Sequence, residues 1–407
     1  MKIEVLDSIM GSGKSTGIIK WMADNPQNKY LYVSPLLTEV VDRIPSECEA
    51  LGFESPSTEN HRTKGEHLTD LLKDGCNISF THSLFMSLTK EHLNLIKREA
   101  YTLIIDEEID FVEAYQGKDY KKEDIITLEN SGHIKINEDE LGRVDWTWNS
   151  DNFEEGSKYS KLKRMCNLGM VHCAKRDRGM IVLHLPISLI SAAHRTIVLT
   201  YLFEGSVMSR FMDMKGISVI PFTEVELIKT VAQVKEEACR LIKIEDTPSI
   251  IKLRDSGKFG LSSTFYRNAN KEELKQVSNA IKSACRKFDK SRVIYTLPKD
   301  MVLPAAGVAK VKVAGYKAKD CFLYSGIKAT NDYSDRDVVV HAFNKHPLVP
   351  LTAYLYDYGF PLDSDLFALS EMVQFVWRSS IRNGREIQLF ILSKRMRKLF
   401  TDWLNYG

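Results

Sequence analysis

The 407-residue chain is too long for one ordinary domain, so roughly two or three are expected. With 43% apolar and 27% charged residues it can build buried cores and lacks the composition of a disordered chain. A formal net charge of +2 neither supports nor excludes a nucleic-acid partner.

Seven scattered cysteines form no Cys-x-x-Cys pair, which argues against a disulfide framework. Cys166, His172 and Cys173 lie close in sequence but match no common zinc module. No signal peptide is expected ahead of the first functional loop. The most apolar stretch, 179–203, is broken by His184, Pro186, His194 and Arg195, so a bilayer span is not expected. These features predict a soluble, cytoplasmic protein with no membrane partner.

In the first half, short apolar runs at 3–6, 30–33, 78–80, 103–105 and 197–200 alternate with helical patterns. That rhythm predicts an α/β protein with a mainly parallel sheet, whose chemistry sits in loops at the carboxyl ends of the strands. The first such loop carries the strongest signal: Ser8, Ile9, Met10, Gly11, Ser12, Gly13, Lys14, Ser15 and Thr16. Gly11 and Gly13 let the backbone, through Ser12, turn its N–H groups toward phosphate oxygens. A helix beginning near Lys14 adds its positive dipole end, with Thr16 in its first turn. Lys14 reaches the β- and γ-phosphates and Ser15 can ligate Mg²⁺. A glycine turn with a chance lysine is the plain alternative.

The fourth strand, starting at Tyr101, ends in Asp106, Glu107 and Glu108. Asp106 suits Mg²⁺ held through water, and Glu107 suits orientation of an attacking water. A nucleotide kinase must exclude water, so the pair favours an ATPase over a phosphotransferase.

Between 111 and 194 the rhythm fails, which predicts an insertion at about 113–195, partly helical and highly charged. Trp146 and Trp148 within it could stack on bases, although packing is the commoner role of such residues. A helical stretch at 224–240 leads into a second α/β rhythm, with strands expected at 259–261, 293–296, 321–324, 338–341 and 387–391. Near the end, Gln374, Arg378 and Arg382 share a helical pattern whose spacing puts both arginines on nearly one face. The tail gathers Lys394, Arg395, Arg397 and Lys398 beside Leu399, Phe400 and Trp403, which reads as a packed terminal helix with a solvated basic face.

Together these elements resemble the superfamily 2 helicases, most closely the compact helicase-like proteins of bacteriophages and prophages. Gly11 to Ser15 resembles motif I, and Asp106-Glu107-Glu108 a variant of the DExx box. Ser34-Pro35-Leu36 resembles motif Ia, and Thr81-His82-Ser83 the threonine motif that touches a tracked strand. Leu199-Thr200-Tyr201 stands where motif III couples hydrolysis to lobe movement. Ala329-Thr330-Asn331-Asp332 resembles motif V, and the run from Gln374 to Arg382 resembles motif VI. The family pattern has glycine where this chain has Trp377, and its second arginine falls one residue earlier. The insertion is poorly covered by the resemblance.

The resemblance implies two RecA-like lobes with mainly parallel sheets, the first carrying the inserted segment: lobe 1 at 1–223, a linker helix at 224–240 and lobe 2 at 241–407. It implies ATP and Mg²⁺, with Gln374 on the nucleotide and Arg378 and Arg382 neutralising charge on the γ-phosphate. ATP would draw the lobes together and hydrolysis would release them. Ser34, Pro35, Thr81, His82, Thr330 and Asn331 would hold a nucleic-acid backbone, and Thr200 would couple the two events. Single-stranded or forked DNA is favoured over RNA, in phage replication or recombination in the host cytoplasm, with proteins of those processes as partners and the chain a monomer. The alternatives are an ATP-dependent clamp or remodeler, a terminase-type packaging ATPase and a small-molecule kinase.

Overall fold

The computed structural model describes residues 1–115, 117, 119–148, 158–305, 307–326, 330 and 332–405. The chain folds as an α/β protein with two parallel sheets and divides into two compact units. The first comprises Met1–Asp7, Ile18–Val225 and Pro347–Asp363, and the second Ser8–Gly17, Glu226–His346 and Ser364–Gly407. Each unit thus takes one short segment from the other half of the sequence.

In the first unit, β1 (Lys2–Asp7), β2 (Tyr30–Ser34), β3 (Ile78–Thr81) and β4 (Thr102–Asp106) are the expected strands. Next come β5 (Val112–Ala114), β6 (Ile134–Asn137), β7 (Arg143–Trp146), β8 (Val171–Cys173) and β9 (Ile181–His184), then β10 (Arg195–Thr200) and β11 (Ser218–Pro221). Six of these form an all-parallel sheet in the order β11-β1-β10-β4-β2-β3. β2 is buried along its whole length and β4 up to Asp106, as continuous apolar runs require when helices cover both faces. The edge strand β11 escaped the sequence reading. It is short, half-exposed and ends in Pro221, a residue that an edge strand tolerates.

Register matters more than strand count. Asp7 pairs with Thr200, Leu199 with Asp106, and Ser34 with Thr81. The carboxyl ends of β1, β10, β4, β2 and β3 therefore form one rim.

The inserted segment contains the helices Lys122–Asn130 and Ser160–Asn167, as a partly helical insertion should. It also holds an antiparallel sheet ordered β5-β9-β8-β7-β6, which the sequence did not betray. Strands of three or four residues, such as Val112–Ala114 and Val171–Cys173, are too short to show a period of two. Tyr120, Ile125, Leu128, Val144, Leu162 and Cys166 make a core between sheet and helices. The helix Val349–Asp357 closes onto it: Tyr354 donates to the Leu141 carbonyl (2.8 Å) and Tyr358 to that of Cys173 (3.2 Å).

The second unit holds β12 (Ile242–Glu245), β13 (Val293–Thr296), β14 (Val338–His341) and β15 (Ile387–Ile391), all parallel in the order β12-β15-β14-β13. The long helix Lys271–Cys285 buries Leu274, Val277, Ile281 and Cys285 in its core. Two expected strands are absent. Residues 259–261 form a loop ended by Ser262, whose side chain accepts from Phe265 N–H (3.2 Å) and starts a helix instead. Residues 321–324 straddle the end of the short helix Ala318–Cys321, and Phe322 makes only an isolated bridge to Tyr295. The helix expected from 224 begins at Val231, where Thr230 and Gln233 form a capping box, and β12 follows it without a break.

Candidate functional site

The rim of the first unit gathers most of the residues singled out in the first half of the sequence. Asp106 ends β4 and is half-buried. Glu107 follows in the left-handed region (φ +66°), held by donation of its N–H to the Leu199 carbonyl (2.9 Å). A glutamate is costly in that conformation, and such strain concentrates where a side chain must be aimed. Glu108 accepts a hydrogen bond from the Thr200 hydroxyl. The buried ring of His82 donates to the Asp106 carbonyl (3.0 Å). Thr81 and Ser34 face each other at the ends of β3 and β2, with Pro35 half-buried beside them. The Ser34 hydroxyl accepts from Leu36 N–H (3.4 Å).

Two rim residues were not anticipated. The Asp7 carboxylate accepts from the N–H groups of Leu202 (2.8 Å) and Phe203 (3.0 Å), pinning the turn after Thr200 to the end of β1. Leu202 is itself left-handed (φ +59°). Tyr32 is fully buried on β2, and burial first, then the Asp106 and Glu39 carboxylates, push its phenol well above its ordinary pKa. It stays protonated. Asp7 could have been found from its place at a strand end, whereas Tyr32 reads in sequence as ordinary core.

In the second unit, the loop after β1 has the geometry its glycines promised. Gly11 (φ +84°) and Gly13 (φ +92°) both occupy the left-handed region. Ser12 N–H closes a turn onto the Ile9 carbonyl (3.2 Å), and the helix Lys14–Asp24 starts at once. Lys14 Nζ donates to the Ser8 carbonyl. Lys14 and Ser15 are half-buried and Thr16 is exposed. Left-handed glycines leading into a helix N-terminus fit a chain of phosphates, whose charge the helix dipole favours. The Ser15 hydroxyl is an oxygen donor of the type that suits a hard divalent cation such as Mg²⁺.

Against this loop lies the segment that precedes helix Val231–Leu241. Lys229 N–H donates to the Ser12 carbonyl (3.2 Å), and a Cβ on Gly13 would come within 2.8 Å of the Ile228 side chain. Trp377 also reaches the loop, its Nε1 lying 3.7 Å from where Gly11 would carry a Cβ. Gly11, Lys229, Trp377 and Arg382 line one small cavity.

The arginine pair needs correction. Helix Ser364–Val376 stops before Arg378, and Arg382 belongs to a separate single-turn helix, Ser380–Asn383. The two do not share a helix face. The Ser379 hydroxyl donates to the Val376 carbonyl (2.6 Å), taking an orphan acceptor of the first helix and ending it. Arg378 is consequently buried and Arg382 exposed. Gln374 lies within the first helix and donates to Ser370 Oγ (3.4 Å). Thr330 is buried and its hydroxyl accepts from Asp332 N–H (3.2 Å). Asn331 and Ala329 fall outside the described residues. Among the described residues no helix is long and apolar enough to cross a membrane, and no group of three or more His, Cys, Asp or Glu is placed to hold a metal.

Three likenesses bear on this geometry. The family described as the YonV C-terminal Rossmann-like domain matches residues 236–404. The chain is 30% identical over 441 residues to the SPbeta prophage-derived protein YonV of Bacillus subtilis (strain 168), covering 99% of this chain and 98% of that one. Among solved structures, S. tokodaii Xpd4 aligns with a TM-score of 0.52 at 14% identity, over 99% of this chain and 94% of that one. This last likeness shows the fold alone, an α/β architecture with parallel sheets.

Proposed function

This chain belongs to the family of the prophage protein YonV, and from that premise we propose that it is an ATP-dependent nucleic-acid helicase or translocase of superfamily 2 type. The observation that carries the reading is the 8–17 loop, with two left-handed glycines feeding a helix that opens on Lys14 and Ser15. It is supported by a rim where Asp106, Thr200, Thr81 and Ser34 end adjacent parallel strands and Glu107 follows Asp106.

In this reading the loop amides of Gly11 to Thr16 and the Lys14 ammonium bind the phosphates of ATP. Bound Mg²⁺ would neutralise charge on the phosphates, with Ser15 ligating it and Asp106 holding it through water. Glu107 orients the attacking water and accepts its proton. Arg378 and Arg382 neutralise charge on the terminal phosphate, and Gln374 contacts the nucleotide. Ser34, Pro35, Thr81, His82, Thr330 and Asn331 hold the nucleic-acid backbone through phosphate oxygens, a sequence-independent grip. Thr200 passes the state of the acidic turn to that grip through Glu108.

The nucleic acid we infer is single-stranded or forked DNA, and the setting phage replication or recombination in the host cytoplasm, with the chain acting as a monomer. Strand displacement from a forked DNA tests the reading. ATP-dependent release of the labelled strand is expected from the natural chain and not from Glu107→Gln. Equal release by both, or release without ATP, would overturn it.

A further inference from the structure

Trp377 stands where the helicase motif has glycine, and the structure gives its indole a defined place. The residue is only 4% exposed. Its nitrogen edge faces the 8–17 loop, with Nε1 3.7 Å from the Cβ position of Gly11. The ring is held by an edge-on contact with Trp403 (5.9 Å, 81°), and Trp403 is in turn packed on Phe400 (5.3 Å). An indole N–H can only donate.

The surroundings select an anion. The cavity beside the indole is lined by Arg382 and Lys229 as well as Gly11, and its one carboxylate, Glu237, is paired with Lys229 (2.5 Å). Position along the loop selects which phosphate. Lys14 reaches the β- and γ-phosphates, and Gly11 lies three residues before it in the same loop.

We propose that Trp377 is a ligand of the terminal phosphate, its indole N–H donating to a γ-phosphate oxygen of nucleotide bound on the 8–17 loop. This rests on the reading above of residues 8–17 as a phosphate-binding loop, or P-loop. On this assignment the site tells a nucleoside triphosphate from a diphosphate, because a diphosphate has no γ-phosphate oxygen to accept the bond. A buried tryptophan that merely packs the core would treat the two nucleotides alike.

The test is calorimetric titration of the full chain with Mg²⁺ and either AMP-PNP or ADP, comparing the natural protein with Trp377→Phe and Lys14→Ala. Loss of one charge-assisted hydrogen bond predicts that Trp377→Phe weakens AMP-PNP about tenfold and ADP less than about twofold. Equal weakening of both nucleotides, or of neither, overturns the proposal. If the natural chain binds neither, or Lys14→Ala binds both as well as it does, the P-loop reading itself fails, and Trp377 falls with it. Should Trp377→Phe not fold, tryptophan emission of the natural protein decides: a change with AMP-PNP and none with ADP is expected, and identical changes overturn the assignment.

Discussion

The Thr200 hydroxyl donates to the Glu108 carboxylate, so the end of β10 is tied to the acidic turn after β4 by one side-chain hydrogen bond. Backbone register already places Leu199 opposite Asp106, and Glu107 N–H donates to the Leu199 carbonyl. The two strand ends therefore form one unit, through which a change at the acidic turn reaches the loop after Thr200.

Thr200→Val removes the hydroxyl and keeps the shape. Its basal ATP hydrolysis should stay within about twofold of the natural chain, while stimulation by nucleic acid falls about tenfold, the worth of one charge-assisted hydrogen bond. Parallel steady-state assays check this. An equal fall in both rates would place Thr200 in the chemical step instead of in coupling.

Gly13→Ala should be damaging twice over. A residue with a Cβ pays about 1–2 kcal/mol at φ +92°, and the new methyl would press on Ile228 at 2.8 Å. Thermal melting should show a modest loss of stability, and nucleotide titration a loss of binding larger than the melting shift accounts for. Retention of natural affinity would contradict the assigned role of the loop.

Arg195 holds Glu4 bidentately (2.6 and 2.9 Å) and reaches Glu224 as well (2.6 Å), joining β10 to β1 and to the segment after β11. Glu4 is buried, so Arg195→Ala strands a carboxylate and should cost about 2–4 kcal/mol in denaturant unfolding. Glu4→Gln combined with Arg195→Ala should recover part of that loss, because no charge is then left buried.

His172 and His184 stack at 3.6 Å beneath Tyr354 in the inserted sheet. Burial lowers His172 to about 4 and His184 well below its ordinary value. Unfolded histidines take up protons near pH 6.5, whereas His172 resists until about pH 4 and His184 is likewise held well below its ordinary value. Between those values the unfolded state binds more protons, so stability present above pH 6.5 is lost as pH falls through that window. Melting curves from pH 7.5 to 5 should show the decline, and His172→Gln should flatten it. An unchanged slope in the variant would remove the pair from the account.

Legibility in the sequence followed burial and length. The runs at 30–33 and 103–105 are apolar throughout and became central strands, whereas β11 is exposed and β5 and β8 have three residues each. At 259–261 an apolar run lost to the cap chemistry of Ser262. The conformation of the 8–17 loop was legible because only glycine takes φ near +90° cheaply, so its positions are marked in the sequence. The arginines were not, because their placement depends on where a helix stops, which Ser379 decides through one hydrogen bond. Tyr32 carries no sequence signature, and Asp7 and Trp377 only a faint one; each gained meaning from a partner distant along the chain.

The central claim, that this chain spends ATP on nucleic acid, is tested most directly by its ATPase rate with and without single-stranded DNA, single-stranded RNA and duplex DNA, using Lys14→Ala as the blank. The account predicts strong stimulation by single-stranded DNA and no activity in the blank. A Lys14-dependent rate indifferent to all three nucleic acids would contradict it and point to transfer of phosphate onto a small acceptor.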